Sequence, residues 1–193
     1  MLYCVVLAGG RSSRMGRDKA GLELDGETLL QHSLRLLQDS GAGQIFISGR
    51  VEGHDWIPDL YPGSGPPGGV LSTLDWIRKN SGLDDSLLLV IPVDMPLLTV
   101  DVLRKLTEGC GDAAAARFPN EVFPCVFRTS EALYRHLREL FEESTEPGGK
   151  RSMKALFDFT QAKQIDRLGL PDGVFMNINY PEEWEEFLTT HKR

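Results

Sequence analysis

The chain has 193 residues, of which 41% are hydrophobic and 25% charged, as in globular proteins with a core of ordinary size. Its formal net charge of −7 argues against wide, non-specific contact with DNA or RNA, although a local cationic pocket can still hold a small anionic substrate. The three cysteines form no CxxC pair, which argues against a zinc site or a disulfide framework, and Cys4 in its apolar run is expected to be buried.

Targeting and membrane signals are not found. The first residues lack the pattern of a signal peptide, and no apolar run reaches the roughly 18 residues that a membrane span needs. We therefore expect a cytoplasmic protein that acts without a membrane or a nucleic acid partner.

Strand and helix patterns alternate along the chain. The segment 65–69, Gly-Pro-Pro-Gly-Gly, is expected to be irregular in its first half. The predicted elements are, in chain order, a strand at 2–8, a helix at 28–38, a strand at 44–48, a short strand near 56–57, a helix at 70–79, a strand at 86–93, a helix from the Thr99 cap to about 108, strands at 113–117 and 122–127, helices at 131–141 and 153–157, a strand at 174–178 and a helix at 182–190 opened by Pro181.

This alternation predicts an α/β protein with a mostly parallel sheet and helices on both faces, organised as one domain over residues 1–193. Ligands of such sheets bind beyond the carboxyl ends of the strands. The strands ending at Gly9, Asp94 and Asn177 are therefore expected to meet in one cleft.

The loop after the first strand combines glycines with cations. Gly9 and Gly10 allow backbone N–H groups to approach a ligand, and Arg and Lys side chains bind phosphate by charge-assisted hydrogen bonds. Neither a P-loop nor a dinucleotide fingerprint is present. The pattern favours a polyphosphate cradle; the alternative is a solvated turn with scattered charges. The cations are Arg11, Arg14, Arg17 and Lys19.

Asp94 follows the most apolar predicted strand, where a carboxylate is costly unless it is paired or binds a metal. Magnesium needs few carboxylates when phosphate oxygens complete its shell. The alternative is a turn or cap aspartate before Pro96. Asn177 and Asn179 are further candidates for contact with the metal or phosphates, although one of them is also placed to cap the helix that Pro181 opens.

Asp59 lies in a loop before the glycine-rich segment. Its carboxylate is able to accept hydrogen bonds from the N1–H and N2–H groups of guanine. The alternative for a loop aspartate is a solvated turn.

The segment from Leu7 to Lys19, LAGGRSSRMGRDK, resembles the signature loop of molybdenum cofactor guanylyltransferases and, more loosely, that of nucleotidyltransferases acting on sugar phosphates. Further resemblances to the family occur in the same order across nearly the whole chain. They are the segments at 65–69 (GPPGG), 92–96 (PVDMP), 123–124 (FP), 148–152 (GGKRS, a loose match) and 177–183 (NINYPEE).

The resemblance implies a Rossmann-like three-layer fold and transfer of GMP from GTP to the molybdopterin cofactor, with Mg²⁺ as cofactor and pyrophosphate as second product. It also implies possible partners among cofactor-biosynthesis or molybdoenzyme-maturation proteins. Ser48 stands where the family often has asparagine, and Tyr180 where it usually has threonine. The resemblance and the chemistry of the residues together give the expected site. Its catalytic residues are Arg14, Lys19 and Asp94, and its nucleotide-binding residues are Leu7, Ala8, Gly9, Gly10, Lys19, Ser48, Asp59 and Asp94. Asp94 and Asn179 are expected to bind the metal, and Asn177, Lys150 and Arg151 to lie on the acceptor side.

The sequence leaves two alternatives to this function open. One is a nucleotidyltransferase for another acceptor or base, such as a sugar phosphate or cytidylyl transfer to molybdopterin. The other is a catalytically silent nucleotide-binding module, against which the joint presence of Lys19 and Asp94 argues.

Overall fold

The computed structural model describes residues 1–9, 18–143 and 151–191. The strands are β1 (Leu2–Leu7), β2 (Glu23–Leu24), β3 (Glu27–Thr28), β4 (Gln44–Ser48), β5 (Leu87–Pro92), β6 (Ala115–Arg117), β7 (Cys125–Arg128) and β8 (Lys163–Gln164). The helices are α1 (Leu29–Asp39), α2 (Gly65–Asn80), α3 (Val100–Cys110), α4 (Glu131–Glu143), α5 (Met153–Thr160) and α6 (Pro181–His191), with a 3₁₀ helix at Lys19–Gly21. None of the helices in these ranges combines the length and the apolar character that a membrane span requires.

Six of the described strands form one sheet in the order β4-β1-β5-β7-β6-β8, and β2 and β3 form a separate hairpin. β1 pairs in parallel with both β4 and β5, so it lies at the centre of the parallel half. β7 runs antiparallel to its neighbours β5 and β6, whereas β8 is parallel to β6. The sheet is therefore mostly parallel, as predicted.

The side chains of β1 alternate between two hydrophobic clusters. Cys4 and Val6 pack with α1, α3 and α6 on one face of the sheet. Tyr3 and Val5 pack with α2, α4 and α5 on the other face. A strand that is covered on both faces needs apolar side chains on both, which explains the uninterrupted apolar run at the start of the chain. The predicted α/β fold with helices on both faces is confirmed.

Two predicted boundaries are wrong at prolines. α2 begins at Gly65 instead of Val70, because its prolines lie in the first turn, where a helix makes no use of their missing N–H groups. β7 begins at Cys125 instead of Val122, and the residues just before it are irregular, with a bend at Phe123 and Pro124. The predicted Thr99 cap is confirmed, since its side chain accepts a hydrogen bond from the Val102 N–H.

The predicted strand at 174–178 is also wrong. The segment consists of turn and coil, and its apolar residues Val174 and Ile178 are buried in the core cluster shared with α6. The apolar run at 174–178 therefore indicates the burial of Val174 and Ile178, not a strand. The Ile178 N–H nevertheless donates to the Asp94 carbonyl oxygen at 2.9 Å, and this single bond brings the segment to the edge of the sheet.

Candidate active site

A pocket of about 260 Å³ lies where β1 and β5 end. Its walls include residues 7–9 at the end of β1, residues 92–94 at the end of β5, Lys19, Phe123 and Asn177. The ends of β1 and β5 thus meet at the carboxyl edge of the sheet as expected, whereas Asn177 reaches the pocket from coil and not from the end of a third strand. A larger cavity of about 550 Å³ lies between the β2–β3 hairpin and α6, but it contains none of the expected site residues.

Three polar side chains meet at this pocket. Nζ of Lys19 donates to Oδ2 of Asp94 at 2.6 Å and to Oδ1 of Asn179 at 3.0 Å. The side chains of Lys19 and Asp94 are only 17% and 14% exposed. Because water screens such a pair less than one on the open surface, their mutual attraction is stronger here.

Lys19 is held in place by the 3₁₀ helix that it begins. The Asp18 side chain caps this helix by accepting a hydrogen bond from the Ala20 N–H at 3.0 Å. Ala20 is buried and Leu22 follows it into the core. The backbone of Lys19 is therefore fixed, and only its long side chain extends to the pocket.

Asp94 lies just beyond β5, and its backbone is held from two sides. The Val93 N–H donates to the Leu7 carbonyl oxygen at 3.2 Å, and the Asp94 carbonyl oxygen accepts from Ile178. Its Oδ1 atom is buried and has no hydrogen-bond partner among the described residues. An unpartnered buried carboxylate oxygen is costly, and a cation would offset that cost.

The donor set fits magnesium better than zinc. Within residues 1–9, 18–143 and 151–191, no cluster of three or more His, Cys, Asp or Glu side chains is arranged to hold a metal. Asp94 and Asn179 place two hard oxygen atoms around Nζ of Lys19, and these oxygens could serve as metal ligands. Mg²⁺ accepts such a sparse protein contribution because water and substrate phosphate complete its octahedral shell.

Asn179 is positioned by Glu183, a residue for which the sequence predicted no role. Oε2 of Glu183 accepts hydrogen bonds from the Asn179 N–H at 2.6 Å and the Tyr180 N–H at 3.2 Å. Glu183 therefore caps α6 from within, while the Asn179 side chain contacts Lys19. A Glu three residues into a proline-opened helix is a sequence signal for this arrangement.

The end of β1 is packed against the end of β4. The N–H groups of Ala8 and Gly9 both donate to the Ser48 carbonyl oxygen, at 2.8 and 2.9 Å. A Cβ atom on Gly49, which has a φ of 110°, would lie 2.2 Å from the Gly9 nitrogen. The backbones of Gly9 and Gly49 therefore approach each other closely, and the Gly9 N–H already donates a hydrogen bond within the protein. Ser48 itself is buried beneath the pocket wall.

Asp59 lies outside the pocket, in the exposed loop after β4. Ile57 ties this loop to the sheet by a parallel bridge with Ser48, and the Leu60 N–H donates to Oγ of Ser72 at 3.0 Å. Partial desolvation of the Asp59 carboxyl raises its pKa.

The remaining expected residues are placed as follows. Arg151 lies outside the pocket and donates to the carbonyl oxygens of Leu140 and Phe141, at 3.2 and 3.3 Å, at the end of α4. Gly10, Arg14 and Lys150 lie outside the described residues. Phe123 also lines the pocket, although the sequence predicted no site role for it beyond its place in the family-like Phe123-Pro124 segment.

Known proteins resemble the chain over most of its length. The model of the MobA-like NTP transferase domain matches residues 4–164. A molybdenum cofactor guanylyltransferase of Xanthomonas euvesicatoria pv. vesicatoria is 34% identical over 184 residues, covering 95% of this chain and 93% of that protein. The protein of the same name from Rhizobium meliloti is 34% identical over 197 residues, covering 93% and 87%.

Solved structures share the fold at lower identity. Molybdopterin-guanine dinucleotide biosynthesis protein A from Archaeoglobus fulgidus superposes with a TM-score of 0.69 at 20% identity, covering 95% of both chains. The 2-C-methyl-D-erythritol 4-phosphate cytidylyltransferase from Thermus thermophilus gives 0.66 at 16% identity, covering 98% of both. The family resemblance of the sequence is confirmed: the chain belongs to the MobA-like NTP transferase family, and it is a nucleotidyltransferase.

Proposed function

We propose that the protein transfers GMP from GTP to the molybdenum–molybdopterin cofactor, forming the guanine dinucleotide cofactor and pyrophosphate. The relatives that carry the name molybdenum cofactor guanylyltransferase support this choice of substrates. The observation that carries the chemistry is the contact of Lys19 with Asp94 at the carboxyl edge of the sheet. We further propose that residues 1–193 act as one domain and that the reaction takes place in the cytoplasm.

The nucleotide would lie across the ends of β1 and β4. In this proposal, residues 7–9 and Gly10 line the triphosphate, and Lys19 binds its oxygens. Ser48 supports this wall through its carbonyl oxygen, which holds the Ala8 and Gly9 N–H groups. Asp59 would accept from guanine at the rim of the site, which requires the loop after β4 to approach the base.

Asp94 and Asn179 would hold Mg²⁺, in keeping with the unpartnered buried Oδ1 of Asp94. An ion held there would supply positive charge that offsets the negative charge of the triphosphate and of the leaving pyrophosphate. Glu183 keeps the Asn179 backbone in place for this role.

The proposed reaction needs no covalent enzyme intermediate. A phosphate oxygen of the acceptor forms a bond to the α-phosphorus of GTP, and the bond from that phosphorus to the bridging oxygen breaks, releasing pyrophosphate. Lys19 and Arg14 would stabilise the negative charge that grows on the leaving group. Asn177 and Phe123 also line the pocket and would orient the acceptor. Lys150 and Arg151 are proposed to assist on the acceptor side.

A pyrophosphate-release assay tests this proposal. GTP, CTP, ATP and UTP are each supplied with Mg²⁺, with and without molybdopterin, and the Asp94→Asn variant serves as the inactive control. We expect release only from GTP with molybdopterin present. Equal or faster release from CTP would replace the guanylyl assignment by a cytidylyl one. Nucleotide binding without release under any condition would favour a silent binding module.

A further inference from the structure

We propose that Lys19 holds the place of the divalent cation in the ligand-free protein, so that the cation binds tightly only when nucleotide phosphates draw the ammonium group away. This inference rests on the proposed function in one respect: it takes Asp94 and Asn179 as the cation ligands. It adds that the site is closed to the cation until the nucleotide arrives.

The two oxygens assigned to the cation already share one positive partner. Oδ2 of Asp94 lies 2.6 Å, and Oδ1 of Asn179 lies 3.0 Å, from the same Nζ atom of Lys19. A cation that bridges these two oxygens has to take the position that the ammonium group occupies. Lys19 and the cation are therefore competitors for one point in the pocket.

Electrostatic repulsion strengthens this competition. The Lys19 and Asp94 side chains are 17% and 14% exposed, so the two positive charges would repel each other with little screening by solvent. With Lys19 bound to Oδ2 of Asp94 and Oδ1 of Asn179, the other carboxylate oxygen of Asp94, Oδ1, is buried and has no hydrogen-bond partner among the described residues. One carboxylate oxygen beside an ammonium group is a weak site for a divalent cation.

Lys19 is able to leave without any unfolding. Its backbone is fixed by the Asp18 cap of the 3₁₀ helix, while its four-carbon side chain has several rotatable bonds through which the ammonium group can change position. A triphosphate offers the ammonium group new oxygens at the same edge of the sheet. The exchange then replaces the Lys19–Asp94 pair by two pairs, Lys19 with phosphate and the cation with Asp94.

Binding of Mn²⁺ to the nucleotide-free protein tests the competition directly. Mn²⁺ accepts oxygen sites like those of Mg²⁺, and its free concentration is measured by electron paramagnetic resonance. We expect wild-type protein to bind Mn²⁺ weakly and Lys19→Met to bind it at least tenfold more tightly. Lys105→Met is the matched control: Lys105 pairs with Asp166 at 3.0 Å on the surface, so its loss removes one positive charge elsewhere. Its Mn²⁺ affinity should equal that of wild type.

The Asp94→Asn variant distinguishes the competition between Lys19 and the cation from the existence of the cation site itself. The gain seen in Lys19→Met should disappear in the double variant with Asp94→Asn. Equal Mn²⁺ affinities of wild type and Lys19→Met, both weakened by Asp94→Asn, would overturn the competition while leaving the cation site of the proposed function intact. Affinities that Asp94→Asn does not change would overturn both. If Lys19→Met unfolds at the assay temperature, Lys19→Gln makes the same comparison, because its neutral amide keeps a donor beside Asp94.

Discussion

Nζ of Lys19 lies 2.6 Å from Oδ2 of Asp94, although 75 positions of the chain separate the two residues. The contact joins the 3₁₀ helix near the N-terminus to the end of β5 in the middle of the sheet. Family resemblance implies a phosphate contact for one residue and a metal contact for the other. The proposed nucleotidyl transfer needs both functions at one place, because the cation and Lys19 would act on the same triphosphate.

Replacing Lys19 by alanine should lower kcat by about 10²–10³, by analogy with the removal of one donor that stabilises charge in a transition state. The Asp94 carboxylate loses its ion-pair partner at the same time, so a loss of about 1–3 kcal/mol in the free energy of unfolding is also expected. Pyrophosphate release should be measured well below the melting temperature. Wild-type kcat in this variant would place the phosphate cradle elsewhere.

Replacing Asp94 by asparagine keeps the size of the side chain and removes its charge. GTP should still bind, whereas catalysis should fail at ordinary Mg²⁺ and recover in part at high Mg²⁺ or with Mn²⁺. A residue that only shapes the turn would change the melting temperature and leave the metal dependence alone. The Mg²⁺ dependence of pyrophosphate release, together with the melting temperature, distinguishes these two roles.

Replacing Glu183 by alanine should remove the support of Asn179 and weaken cation affinity or activity about 10–100-fold, as the loss of outer metal-site partners does. Glu183→Gln keeps an acceptor oxygen for the Asn179 N–H and should restore most of the activity. Thr28→Ala is the matched control, because it removes the capping box of α1 away from the pocket. Equal kinetic effects of the Glu183→Ala and Thr28→Ala variants would mean that Glu183 only caps α6 and does not position a metal ligand.

Replacing Gly49 by alanine should destabilise the protein by clearly more than about 1 kcal/mol, because alanine is strained at positive φ and its Cβ would meet the Gly9 backbone. Gly53 provides the control, since its φ is 78° and no atom lies within 4 Å of an added Cβ. Urea unfolding should show the larger loss for Gly49→Ala. Equal losses would mean that the contact between Gly9 and Gly49 is not a close one.

The cysteines should be unreactive in the folded protein. Burial raises the pKa of the Cys4 thiol to about 12 and raises the pKa values of Cys110 and Cys125 as well. Because the thiolate is the reactive form, a disulfide reagent at pH 8 should react at least about a hundredfold more slowly with native than with urea-unfolded protein. Rapid titration of a thiol in the native state would contradict the burial of these side chains in the core.

The sequence by itself was sufficient for features that depend on local pattern. The apolar run of β1, the still more apolar run of β5 and the cap at Thr99 each carry their signal within a few residues. The alternation of strand and helix then indicated the α/β class. The uninterrupted apolar strands agree with it, because a strand covered by helices on both faces must be apolar throughout. The resemblance of the Leu7–Lys19 segment was sufficient to indicate the family.

Only the tertiary structure decided which residues meet. Strand order and the antiparallel insertion of β7 depend on pairing between distant segments, which no local pattern encodes. The apolar residues at 174–178 predicted a strand because burial in coil and burial in a strand select the same side chains. The contact of Lys19 with Asp94 and Asn179 arises because three separate backbone anchors, the Asp18 cap, the end of β5 and the Glu183 cap, bring them to one edge of the sheet.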